Sequence, residues 1–387
     1  MNIKFLDKSG GFSMAVVYFV AEGVFHIKFI RLYTYSALIS NSLGFLFMLY
    51  QFIVGAESLY IIKYGPVLTG CTYVLVSLWG ILFLRKTEEF KQEFHFWSEH
   101  NASKEIQNRI KQHINSVTVY VILNIVLAFT AGTSLILPNK DEIHYHYFIK
   151  KLSELDTIPR GINETCYYFY KINFVLMFPI MTVNSNRLLY FSRKFNFQVK
   201  LLVERIETMA KDYNVNDPNL FYNVRYQNDV KQKLKIFIRR QAYIAQYVAK
   251  MNKFLAPFII MFAISATLLG ISVLLLLVTA TIYYNKYQLI LCGAIYISTL
   301  FCAIEATETV EMESVEIYNA LLAQPWYSWN NANRKTFIIF LKNCEKPIQI
   351  TKFSDIFYFN YDWGISVFKK VYSLGSVFFN LRQYIDK

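Results

Sequence analysis

Seven long, mostly apolar stretches dominate this chain, and they constrain its fold more than any other feature. A helix needs about 20 such residues to cross the roughly 30 Å of hydrocarbon in a bilayer. Residues 33–55, 65–84, 115–137, 166–191, 254–284, 287–308 and 356–381 qualify or nearly qualify. The strongest is 254–284, which contains ISVLLLLVTATIYY and is long enough to project beyond the bilayer. The weakest is the last, which carries Asp362, Lys369 and Lys370. Composition agrees: 17% of residues are charged, against about 25% in a soluble domain, while 55% are hydrophobic and 18% aromatic. The sequence therefore predicts an all-α membrane protein with seven transmembrane helices.

Orientation follows from where Lys and Arg fall between spans. Segments 1–32, 85–114, 187–253 and 309–355 hold 29 of the 40, whereas the alternate connections and the C-terminal tail hold 8. The N-terminus is thus expected in the cytoplasm and the C-terminus outside, the reverse of a G-protein-coupled receptor. The formal charge of +13 lies in cytoplasm-facing connections rather than marking a nucleic-acid surface. In this sense Asn163-Glu-Thr falls in an outer loop, where glycosylation is possible, and Asn101-Ala-Ser falls in a cytoplasmic one, where it is not. The apolar run from Phe12 to Phe25 is interrupted by Glu22 and lacks the pattern of a cleaved signal. It reads as an amphipathic helix lying against the membrane surface.

The charged region 193–253 keeps helical spacing in Phe195, Val199, Leu202, Ile206 and Met209. It predicts cytoplasmic extensions of spans four and five, joined by a turn at Tyr213–Pro218. The chain is one unit over 1–387: a cytoplasmic segment at 1–32, six spans over 33–308, an anchor helix and linker at 309–355, and a last helix and tail at 356–387. No Walker loop, GxSxG, HExxH or nucleotide-binding glycine pattern occurs, so nothing points to an enzyme or a cofactor. The five cysteines form neither a disulfide framework nor a zinc site, although Cys71 and Cys166 both fall near outer helix ends. His144-Tyr-His146 reads as a solvated loop rather than a metal site. There is no Asp-Arg-Tyr after span three, no Asn-Pro-x-x-Tyr in span seven and no internal repeat, which disfavours G-protein coupling and transport.

Two constellations remain. Span four carries Tyr167, Tyr170, Phe174 and Phe178 at spacings of three and four, with Met177 and Met181 beside them. That stripe suits helix packing or an interfacial belt, or the wall of an apolar ligand pocket. Tyr73, Thr130, Thr133 and Ser272 are the candidates for its polar groups, although Thr and Ser in spans often bond their own backbone. On the last span Ser373, Val377 and Asn380 or Leu381 share a face. A small polar face interrupted by a branched apolar side chain fits a dewetting gate, and equally a peripheral helix whose lysines snorkel to the interface.

The stretch YNALLAQPWYSWNNANRKTFIIFLKNCEKPIQI (318–350), followed by SVFKKVYSLGSVFFNL (366–381), resembles the insect odorant receptors. The span count and orientation extend that resemblance over the whole chain. It implies a tetrameric, ligand-gated, non-selective cation channel in the dendritic plasma membrane of olfactory neurons, in which a variable tuning subunit pairs with an obligate co-receptor subunit. It places the last helix around the pore, with Val377 at the hydrophobic gate and Asn380 and Leu381 near the outer mouth. The odorant, a small volatile molecule, is placed in the outer half among spans two to six. The aromatic content suggests a terpenoid, ester or benzenoid. Ser373-Leu374 and Asn380-Leu381 depart from the gustatory-receptor ending, and the length of 387 residues suits a tuning subunit better than the longer co-receptor. Lys369 and Lys370 argue against a pore built from this chain alone.

Overall fold

The computed structural model describes residues 14–55, 58–83, 96–137, 154, 159–215, 217–279, 286–350 and 358–385. Regular structure among them is helical: α1 (Ala15–Ala21), α2 (Lys28–Gly55), α3 (Ser58–Phe83), α4 (Lys104–Ser134), α5 (Arg160–Glu207), α6 (Val224–Thr279), α7 (Lys286–Leu322), α8 (Asn331–Cys344) and α9 (Tyr361–Ile385). In hydrocarbon every backbone N–H and C=O must be paired within the protein, which long helices achieve segment by segment. Among the described residues five helices are long and apolar enough to cross a membrane, on α2, α4, α5, α6 and α7. The apolar part of α3 is shorter (Val67–Phe83). Exposed Phe29, Ile39, Leu43, Leu46 and Ile53 leave α2 an outward apolar face suited to lipid.

Helices α5, α6 and α7 outrun their apolar segments because their amphipathic pattern continues where the hydropathy falls. Phe195, Val199, Leu202, Ile206 and Met209 are all buried in one cluster with Tyr226, Leu234 and Ile244 of α6, Ile317 of α7 and Phe337 of α8. We refer to this as the extended end of the bundle. Gln227 is its hydrogen-bonding hub. Its Nε2 donates to Leu220 O and Ser328 O, while its Oε1 accepts from Asn330 N and Asn333 Nδ2. Trp329, fully buried, donates Nε1–H to the Tyr226 hydroxyl at 3.0 Å. The Pro-Trp-Tyr stretch is thus a clamped turn delivering α8 back onto α6. Nearby, the guanidiniums of Arg205 and Arg240 stand 4.1 and 4.6 Å from the centre of the Trp97 ring. Burial pulls Arg240 down to about 10, with Arg205 adding to the shift and Tyr243 opposing it.

Helix α4 opens with Ser103, whose hydroxyl accepts from Ile106 N at 3.3 Å, an N-cap. Further along, Gly132 carries α4 against the backbone of α5: a Cβ there would lie 2.8 Å from Val175 Cα. Pro179, four residues on, cannot donate to the Val175 carbonyl. The close approach of α4 falls where α5 lacks that helical bond.

The N-terminal helix differs from expectation. Rather than lying only on the membrane surface, α1 buries Val17 and Ala21 among Ile110, Ile114 and Val117 of α4 and Leu189 and Tyr190 of α5. Arg187 explains the capture. Its Nε donates to Ala21 O at 2.9 Å and its Nη1 to Gly80 O at 3.2 Å, so one buried cation closes the C-terminus of α1 and contacts the last turn of α3. Cys71 and Cys166 are both free thiols.

Candidate ligand cavity

A cavity of about 190 Å³ opens in the half of the bundle away from the extended end. Tyr170, Phe174, Met177, Phe178 and Met181 of α5 form one wall, at helical spacing. Val67, Gly70, Cys71, Tyr73 and Val74 of α3 and Leu269 and Val273 of α6 face them. Helix α7 closes the site with Gln288, Leu289, Cys292, Ile295, Tyr296 and Thr299. Asn41 of α2, Asn173 of α5 and Leu135 after α4 complete it. For scale, an apolar cavity of about 150 Å³ stays dry and admits benzene. No charged side chain among the described lining residues faces this space.

The polar groups divide into those already used and those still available. Tyr296 donates to Ala266 O at 3.0 Å, packed so closely over Gly270 that a Cβ there would lie 2.4 Å from its oxygen. Gln288 Nε2 donates to Ser134 O, and Asn173 Oδ1 accepts from the Tyr33 hydroxyl at 3.4 Å. Tyr73 is 3% exposed, its ring 5.3 Å from that of Phe262, and Thr299 is 4% exposed. Neither hydroxyl makes a hydrogen bond to the described residues. Thr299 is unusual in this, since Thr267 on α6 and Thr309 on α7 both return theirs to their own helix. These two lining hydroxyls are therefore the ones still available to a ligand.

Of the residues singled out in the sequence, the structure brings Tyr73, Tyr170, Phe174, Met177 and Phe178 together around this cavity. It does not bring Tyr167, which packs edge-on against Tyr168 and lies beneath the ammonium of Lys171. Thr130 and Thr133 are exposed, with hydroxyls bonded to Val126 O and Phe129 O. Ser272 is buried but bonds Leu268 O outside the lining. On α9, Ser373 is exposed and Val377 is 51% exposed among the described residues. The side chains of Asn380 and Leu381 lie outside the described residues, as do His144 and His146. Asn163 sits in the first turn of α5, at the cavity end of the bundle. Reading the sequence alone missed Thr299, Tyr296, Cys292 and Gln288, although their spacing of three and four marks one face of α7.

A bundle of apolar helices around an uncharged, largely apolar cavity is suited to a small hydrophobic molecule. Residues 61–372 match the family model for the 7tm odorant receptors. The chain belongs to that family, a receptor class rather than an enzyme family. Its fold is similar to that of the insect olfactory receptor OR5 from Machilis hrabei, with a TM-score of 0.71 and 11% identity over 95% of this chain and 96% of that one. The same receptor in complex with eugenol matches with a TM-score of 0.67 and 10% identity over 98% of each chain. The fold is accordingly the seven-transmembrane one, with α2 to α7 and α9 as its long helices. No curated protein matches the chain.

Proposed function

We propose that this chain is the odorant-binding tuning subunit of a heteromeric, ligand-gated cation channel in the plasma membrane of olfactory neurons, paired with a co-receptor subunit. The observation that carries the reading is the uncharged cavity, with the Tyr73 and Thr299 hydroxyls unpartnered inside it. Such a site favours a neutral volatile with an apolar body and one or two oxygens, a class to which eugenol, bound by the related receptor, belongs. Burial of its apolar surface contributes about 25 cal/mol per Å², and the hydroxyls set its orientation. Orientation with the N-terminus in the cytoplasm puts the cavity in the outer half and Asn163 where a glycan can be added.

To gate, the ligand must bind the open arrangement better than the closed one. Occupancy moves α6 and α7, which line the cavity, and these move α9 so that Val377 leaves the pore axis. The exposed Val377 face and the exposed Lys369 and Lys370 suit a helix that is covered only on assembly. The test is voltage clamp of cells expressing this chain with and without the co-receptor, under a panel of benzenoids, esters and terpenoids. A fast cation current requiring both chains supports the reading. Ligand-evoked signalling that needs a G protein and carries no current contradicts it.

A further inference from the structure

Helix α7 does two jobs along one rod. Its first half lines the cavity, ending at Thr299, and its second half is strapped to the segment that becomes α9. Glu305 stands six residues beyond Thr299, about 9 Å along the axis. The straps follow in order. Ser314 Oγ accepts from Ile348 N at 2.9 Å, and Glu311 Oε1 accepts from Gln349 Nε2 at 2.8 Å. The other oxygen of Glu311 accepts from the Tyr358 hydroxyl. The Thr307 hydroxyl is shared between Ile304 O of its own helix at 2.7 Å and Phe359 O at 2.8 Å, and Glu305 Oε2 accepts from the Tyr361 hydroxyl in the first turn of α9. The second oxygen of Glu305 is held by Arg193 of α5 at 3.1 Å.

The two carboxylates therefore bind phenols that precede or open the last helix, and one of them is itself fixed to the helix carrying the aromatic cavity wall. Charge-assisted hydrogen bonds of this kind are directional and roughly twice as strong as neutral ones. They hold register under displacement in a way that apolar packing, which slides, does not. We propose that Glu305–Tyr361 and Glu311–Tyr358 are the positioning contacts through which α7 drives the pore helix, setting gating efficacy without contributing to ligand affinity. The inference rests on the channel reading above.

The test is the double variant Tyr358→Phe/Tyr361→Phe in the full chain co-expressed with the co-receptor, which keeps both rings and removes only the hydroxyls. Maximal current under eugenol and the rest of the volatile panel is normalised to surface density. Ligand affinity is read separately from the concentration dependence of thermal stabilisation of the purified chain. The expected result is an unchanged half-stabilising concentration with maximal current lowered roughly a hundredfold, about tenfold for each of the two charged hydrogen bonds lost. Unchanged current overturns the proposal, and so does a parallel loss of affinity, which marks a purely structural role. If the double variant does not reach the surface, Tyr358→Phe alone leaves the Arg193–Glu305–Tyr361 set intact and is expected to lower maximal current by a smaller factor at unchanged affinity. A wild-type chain that is stabilised by ligand yet passes no current refutes the channel reading itself.

Discussion

Tyr73→Phe isolates what the cavity asks of its ligand. The phenol is 3% exposed, its ring rests against Phe262, and its hydroxyl makes no hydrogen bond to the described residues. Deleting that oxygen keeps the ring contacts, so the ligand-free protein should lose no stability, since an unpartnered polar group disappears. The bound state differs. An oxygenated odorant that uses the hydroxyl loses one hydrogen bond, worth about 0.5–1.5 kcal/mol net, or roughly a two- to twelvefold weaker affinity. A hydrocarbon of matched shape loses nothing. The assay is paired concentration–response curves for an oxygenated benzenoid and its deoxygenated analogue, on wild type and variant. The predicted result is a rightward shift within that range for the first compound and less than a twofold shift for the second. An equal shift in both would mean that the substitution acts through packing, and no shift in either would remove Tyr73 from recognition.

Thr130→Val with Thr133→Val should change odorant potency less than twofold in the same recordings, because both hydroxyls serve their own helix. Gly132→Ala should lower the melting temperature of the purified chain, since the new Cβ would sit 2.8 Å from Val175 Cα and overpacking costs about 1–3 kcal/mol. Gln227→Ala strips Asn330 N of its acceptor and Leu220 O and Ser328 O of the amide donor, at about 1–3 kcal/mol per group left unpaired; limited proteolysis should then cut the turn between α7 and α8 faster. Val377→Ala should raise ligand-independent leak in assembled channels, and unaltered leak and gating would withdraw it from the gate.

The bundle was legible because hydropathy and length report how many helices cross a bilayer, and the helical spacing at Phe195 to Met209 reported how far α5 runs on. What hydropathy does not report is which side of an apolar helix meets lipid. Thr130 and Thr133 looked like cavity groups for that reason, and the structure turns them outward with their hydroxyls satisfied locally. Tyr167 belongs to the right stripe but lies one turn before the cavity wall begins at Tyr170. The α7 wall was hidden in a uniformly apolar span, where Gln288 and Thr299 stood out too little from their neighbours. The capture of α1 by Arg187 depends on helices α3 and α5 meeting in space, which no local pattern encodes.

Under the channel reading, the cavity between α3, α5, α6 and α7 is where the odorant binds to open the pore. Two native thiols, Cys71 and Cys292, line it, while Cys166 lies outside. The direct measurement is the rate at which a small thiol reagent labels each cysteine in the assembled receptor, read by mass spectrometry across ligand concentrations. The account predicts that a ligand able to evoke current slows labelling of Cys71 and Cys292 over the concentrations that open the channel, and leaves Cys166 unaffected. Full current with unprotected Cys71 and Cys292 would place the odorant elsewhere and contradict the account.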